Sequence, residues 1–237
     1  MIGRAIMSRR TLAFAVAFAL TTAPLAGQRP EPKTAPPVER VGPNLFRLGE
    51  ITVDTAKREL SVRGHVNDVT TLEWIANTRE GMKAYESALT VDTEAISFNA
   101  ALLLIGLDPA HAKGVPKRHF DPATPAGDPV EMQFEFSRNG QPVRVNVERL
   151  MWDREKLSEV QSTGWVYTGS TFNSEGRYMA ELDGVLIGFV HSPAPMIEQI
   201  GGAALGRFGW IVLNPNLGLT PKMPVTLFVR NITPPRK

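Results

Sequence analysis

Cysteine is absent from the 237 residues. Without a thiol there is no disulfide, no thiolate zinc site, no iron–sulfur cluster and no cysteine nucleophile. The domain must therefore hold itself together by burying apolar surface, and 43% hydrophobic residues is enough for one core. Histidine is scarce as well, with four in all. None stands in the H-E-x-x-H spacing of a helical zinc site, and no serine stands in a G-x-S-x-G elbow. No stretch repeats at a fixed spacing, and no apolar run reaches the roughly 20 residues of a membrane span. Nothing in the sequence carries a cofactor signature.

Positive charge is concentrated at the start. Arg4, Arg9 and Arg10 precede the apolar run Leu12 to Leu20, and the small residues Ala23, Ala26 and Gly27 follow. This is the layout of a secretory signal peptide over residues 1–27, with cleavage after Gly27 and a periplasmic or secreted destination. Only if that segment stays uncleaved is a membrane attachment expected. Ser8-Arg9-Arg10-Thr11-Leu12 also fits a twin-arginine signal, against which the ordinary Sec route is preferred. Removal of residues 1–27 leaves 23 Lys plus Arg against 24 Asp plus Glu, so the basic excess belongs to the leader. A near-neutral domain without a Lys/Arg cluster gives no electrostatic ground for nucleic-acid binding. Residues 28–43 hold Pro30, Pro32, Pro36, Pro37 and Pro43 among charges and read as a flexible linker. Residues 44–233 then form a single globular domain.

Within that domain, alternation predicts a hairpin of Glu50–Asp54 and Glu59–Val66, with His65 on its polar face. Leu72–Asn77 reads as a third strand. Lys83–Leu89 reads as a charged strand feeding a buried helix over about residues 92–106, capped by Asp92, ended at Gly106 and stopped by Pro109. From Glu94 to Gly106 only Glu94, Ser97 and Asn99 are polar. Residues 111–129, with Pro116, Pro122, Pro125 and Pro129, form a long loop of the kind that carries function or moves. Met132, Phe134 and Phe136 on one side, and Val143, Val145 and Val147 on the other, alternate around Asn139-Gly140, the pair preferred in a two-residue type I′ turn. That register sets Phe136 opposite Val143, Phe134 opposite Val145, Met132 opposite Val147 and Glu135 opposite Arg144.

Leu150–Ser162 reads as a short helix or edge element, and Gly164–Ser170 as a strand. Asp183-Gly184 is expected to turn a further hairpin, with Tyr178 opposite Phe189 and Ala180 opposite Ile187. Trp210–Leu213 and Val225–Val229 close the chain. The sum is a mainly antiparallel α+β domain, a β-sheet or sandwich of about nine short strands packed on one buried helix.

An ordered set of residues then carries a resemblance: Lys83-x-x-Glu86-Ser87, Ala101-Leu102-Leu103-Leu104-Ile105-Gly106-Leu107, Pro125-x-Gly127-Asp128, Trp165-Val166-Tyr167-x-Gly169-Ser170, Asp183-Gly184-Val185-Leu186-Ile187 and Pro224-Val225-Thr226-Leu227. Across most of residues 44–231 the chain resembles the YdjY domain family of exported bacterial proteins. The resemblance implies a compartment. The family has no assigned biochemical function, so no catalytic residue carries over.

Site candidates are few. Lys83, Glu86 and Ser87 lead, and with Trp165 and Ser170 they form the ligand-binding candidates. On a strand Glu86 faces away from Tyr85 and Ser87 and needs a partner, Ser170 or a backbone amide, because Lys83 lies on the opposite face. Ser87 as a nucleophile would need a base and an oxyanion site. His119 and Asp121, close to His111 on the long loop, could supply two metal ligands, which is short of a site, so no metal is assigned. Trp74, Trp152, Trp165 and Trp210 are core residues or the lining of a groove. Two functions stand side by side. The first is a non-enzymatic exported domain binding an envelope protein or small ligand. The second is a hydrolase or metal-assisted enzyme using Glu86 with Ser87 or the His119 loop, which requires Glu86 and His119 to converge.

Overall fold

A computed structural model describes residues 34–202 and 207–234; the leader expected over residues 1–27 lies outside them. In chain order the elements are β1 (Glu39–Arg40), β2 (Leu45–Leu48), β3 (Ile51–Asp54), β4 (Glu59–Val66), β5 (Trp74–Thr78), β6 (Ser87–Val91), α1 (Ala95–Leu104), β7 (Asp128–Arg138) and β8 (Gln141–Asn146). There follow β9 (Met151–Asp153), β10 (Ser158–Glu159), β11 (Trp165–Tyr167), α2 (Met179–Asp183), β12 (Val185–Gly188), β13 (Ile197–Gln199), β14 (Ile211–Leu213) and β15 (Pro224–Asn231).

Eight strands close on themselves in the order β4-β15-β7-β11-β13-β12-β5-β6, and β6 returns to β4. The expected sandwich is thus a closed barrel. Alternation reports only that one face of each strand is buried, and a sheet rolled on itself satisfies it as well as two packed sheets do. The closure depends on the length of β4. Residues Glu59–Val62 pair with β3, and Gly64–Val66 pair with β6 along the same edge. Gly64 makes the seam possible, because a Cβ there would stand 2.2 Å from the Thr90 carbonyl oxygen. Closure leaves no barrel edge to template aggregation.

Leu60, Val62 and Val66 from β4, Met132, Phe134 and Phe136 from β7, and Val225, Leu227 and Val229 from β15 are buried in register and fill the interior. Their neighbours Arg63, Glu135, Thr226 and Phe228 face out. Strands β1, β2 and β3 splay off the start of β4, and β1 draws two residues of the proline-rich linker into the sheet. A separate sheet, β10-β9-β14, resolves the mixed segment after Leu150.

The Asn139-Gly140 hairpin forms as expected. Both residues take positive φ (53° and 76°), and Phe136↔Val143, Phe134↔Val145 and Glu135↔Arg144 are paired. Met132 does not meet Val147, because β8 ends at Asn146 and a 3-10 turn begins at Val147. Arg144 lies over Phe228 (3.6 Å to the ring centroid) and bonds Glu59 (2.8 Å) on the outer face.

The second predicted hairpin is absent: residues 179–183 are α2, and Gly184 is its left-handed C-cap (φ 70°) rather than a hairpin turn. Asp-Gly serves both roles, and the choice lies with the surroundings. Gly184 abuts Gly81, with any Cβ 2.2 Å from the Gly81 Cα. The strand that follows, β12, pairs antiparallel with β5 and parallel with β13.

Helix α1 is shorter than expected, and its N-cap position is Glu94, not Asp92, which pairs with Arg79 at 3.6 Å. Its C-terminus is as read. Gly106 (φ 85°) donates to Leu103 O and Leu107 to Leu102 O, a Schellman closure. Ala95, Phe98, Ala101 and Leu102 are buried, whereas Leu103 on the other side is exposed. Tyr167 Oη donates to Asn99 (2.6 Å) and Asn231 Nδ2 to Ile105 O (3.1 Å), which ties the helix across one end of the barrel.

Candidate functional site

The starts of β5 and β6, at the end of the barrel away from α1, carry the chemistry. Glu73 precedes β5 and Glu86 precedes β6, and these strands run parallel with Trp74 beside Ser87, so the two carboxylates emerge side by side. Glu73 N–H donates to Glu86 O across the step (2.9 Å). Residues Ala84–Glu86 form a 3-10 turn rather than the charged strand expected. The turn reverses the facing argument, for at i,i+3 spacing Lys83 and Glu86 share a side and Nζ lies 3.6 Å from Glu86 Oε2. Lys83 also donates to Tyr85 Oη (3.1 Å).

From the other side the long loop folds in. His119 Nε2 sits 3.2 Å from Glu73 Oε2, and its ring packs on Trp74 (5.8 Å) and Phe120 (4.3 Å). The loop is bound at several further points. Lys113 and Ala126 form a bridge, and both Asp121 oxygens accept backbone N–H groups, from Lys117 and Ala123. The Asp121 carbonyl meets His191 Nδ1 at 3.1 Å, while His191 Nε2 meets Gln199 O at 2.7 Å.

Glu73 is 2% exposed and Glu86 Oε2 is buried, yet neither Glu73 Oε2 nor Glu86 Oε2 receives an aligned hydrogen bond; the buried Trp74 Nε1 is unpartnered too. Burial first, and the Glu86 charge second, push the Glu73 carboxyl up to about 7. Burial and then the Lys83 charge push His119 down. Lys83 is raised, chiefly by its bond to the Tyr85 hydroxyl and then by Glu86. The centre thus sets a carboxyl raised by burial 3.2 Å from an imidazole, beside a lysine–glutamate pair.

The sequence-derived candidates divide. Lys83, Glu86 and His119 come together. Ser87 is adjacent but fully buried, its hydroxyl donating to Lys83 O (2.8 Å), so it does not face the cluster as a free hydroxyl. Ser170, at φ 66°, accepts from Ala180 N at the start of α2 and donates to Pro193 O, so it positions a helix instead of partnering Glu86. Trp165 is buried in the barrel wall and donates Nε1–H to Glu148 (2.8 Å). Asp121 is spent on its own turn. Among the described residues no group of three His, Asp or Glu side chains is arranged to hold a metal ion. The tryptophans line no common groove: Trp74 and Trp165 belong to the barrel, Trp152 and Trp210 to the small sheet and its border.

Glu73 was missed, because it stood as the polar alternate of an expected strand. The available signal was a second glutamate just before a strongly apolar strand. A further carboxyl, Glu198 on β13, is wholly buried and raised well above the ordinary range by that burial, with the Ser192 amide opposing.

Fold and site together define a closed eight-stranded β-barrel capped by a helix at one end and bearing a buried acid cluster at the other. The family model of the YdjY domain matches residues 51–199, and the chain belongs to that family. The match runs from the start of β3 to the end of β13, so β15, which completes the barrel between β4 and β7, lies beyond it. No curated protein and no solved structure matches the chain.

Proposed function

We propose that this is an exported, non-enzymatic binding module of the cell envelope whose ligand is held at the Glu73–Glu86–Lys83–His119 cluster. The observation that carries the reading is the pair of buried carboxylate oxygens, Glu73 Oε2 and Glu86 Oε2, that lack aligned donors. Buried acceptors of this kind are costly unless something satisfies them. The ligand that suits them brings donors, as an amine, an amide or a polyhydroxyl compound does, and the flanking Trp74 and Phe120 rings suit one with an apolar body. The His119 ring covers Glu73, so the ligand enters by displacing that side chain.

The test is a thermal-shift panel of primary amines, polyols and short peptides on the full chain, repeated with Glu73→Gln and Glu86→Gln. A hit that both substitutions abolish supports the reading. A hit that survives both places the ligand elsewhere and ends it. Export is tested by the mass of the protein recovered from the producing cells; an intact leader in the soluble fraction would refute it.

One observation favours a second reading, an enzyme that moves protons. Glu73 is poised near 7 and stands 3.2 Å from an imidazole, as a general base should. In that case chromogenic ester or glycoside hydrolysis would rise through pH 7 and vanish in Glu73→Gln.

A further inference from the structure

We infer that two turns bordering the small sheet form a tip that docks on an anionic lipid surface. One joins β9 to β10 (residues 154–157), and the other, residues 207–210, leads into β14. The Arg154 amide donates to Trp210 O (3.0 Å) and Arg207 pairs with Glu155, so the two are fastened side by side. At their ends Leu157, Phe208 and Trp210 stand 72%, 62% and 40% exposed. Leu157 takes φ 51°, a left-handed conformation that a leucine adopts at a cost. Asp153 imposes the turn by accepting the Glu155 and Lys156 amides (2.9 and 3.1 Å), and the result is an apolar side chain aimed at water.

The charges around this tip choose the occupant. Arg154, Lys156 and Arg207 border it. The acids against them are Glu155 and the buried Asp153, which leaves a net of one positive charge. The Arg207 guanidinium lies 4.7 Å from the centroid of the Trp210 ring. An indole and a phenyl ring flanked by cations match a bilayer interface, where the aromatic ring settles at headgroup depth and guanidinium and ammonium groups meet lipid phosphates. Two projecting turns insert into lipid readily, whereas a protein partner would have to supply a matching hollow.

The experiment uses the full chain with vesicles of equal parts phosphatidylglycerol and phosphatidylcholine, and with phosphatidylcholine alone. The apolar run at residues 12–20 could itself bind vesicles, so the decisive readout is local: quenching of tryptophan emission by lipids brominated on the acyl chain. Trp74 and Trp165 are buried and Trp152 half-buried, which leaves Trp210 to report. The expected result is quenching on the anionic vesicles that Trp210→Phe removes. Leu157→Ser with Phe208→Ser lowers the partitioning read from Trp210 quenching about tenfold or more, and Arg154→Gln lowers it about fivefold in low salt. These exposed substitutions leave the melting temperature unchanged. The inference is overturned if Trp210 is unquenched on the anionic vesicles, if Trp210 of the Leu157/Phe208 variant is quenched like that of the wild type, or if the tip residues instead control a concentration-dependent dimer.

Discussion

Replacing Glu73 by Gln keeps the side-chain shape and removes the proton equilibrium, so it isolates the energetics of the cluster. The folded carboxyl titrates near 7 and the unfolded one near 4.5. Below 4.5 both states hold the proton and Glu73 contributes no pH dependence. Between 4.5 and 7 the unfolded chain has released it while the folded chain keeps it, so stability falls as pH rises; above 7 the cost is complete. A shift of that size corresponds to about 3 kcal/mol at most, and solvent reaching the half-exposed His119 trims it to about 2 kcal/mol. Glu73→Gln should therefore match wild type near pH 4 and exceed it by about 2 kcal/mol at pH 8, roughly 4–8 °C in melting temperature for a domain of this size. His119, held below 6.5, pulls the wild-type curve the other way at acid pH, so the quantity to read is the difference between the two proteins in urea titrations. A difference that stays flat from pH 4 to 8 would refute the buried-acid account.

Other substitutions test the frame. Gly64→Ala drives a methyl into the Thr90 carbonyl at the β4–β6 seam, and circular dichroism melts should show a loss of more than about 3 kcal/mol or no folded protein. Gly140→Ala strains only a positive φ in open space and should cost about 1 kcal/mol. Asn77 accepts from Asn67 (3.2 Å) in a buried network, while Thr90 keeps Asn67 Oδ1 (2.8 Å) as a second acceptor, so Asn77→Leu should cost about 1–3 kcal/mol by chemical denaturation, because it leaves one buried Asn67 N–H without its partner. Removing Arg144 from Glu59 and Phe228 on the half-exposed outer wall should cost under about 1 kcal/mol, and less in high salt.

Local signals were legible where the chain settles its own geometry. The Asn139-Gly140 turn, the β3–β4 hairpin and the Gly106 helix ending follow from dihedral preference and alternation within a dozen residues. Asp183-Gly184 shows the limit. The same dipeptide turns a hairpin or ends a helix, and contact with Gly81, a hundred residues earlier, decided for the helix. The candidate site was half legible. Lys83, Glu86 and His119 were marked as chemistry-bearing, but Glu73 was invisible because its importance lies in the parallel pairing of β5 with β6.

By itself the sequence determined a β-rich domain held by its core without thiols, the strands with one buried face, and the family. Tertiary structure alone decided that those strands close into a barrel, since alternation is indifferent to what covers the buried face. It alone decided that a proline-rich loop returns to set His119 on Glu73. Pairings between residues 73 and 119, or 64 and 91, depend on register and loop path, which short-range periodicity does not encode.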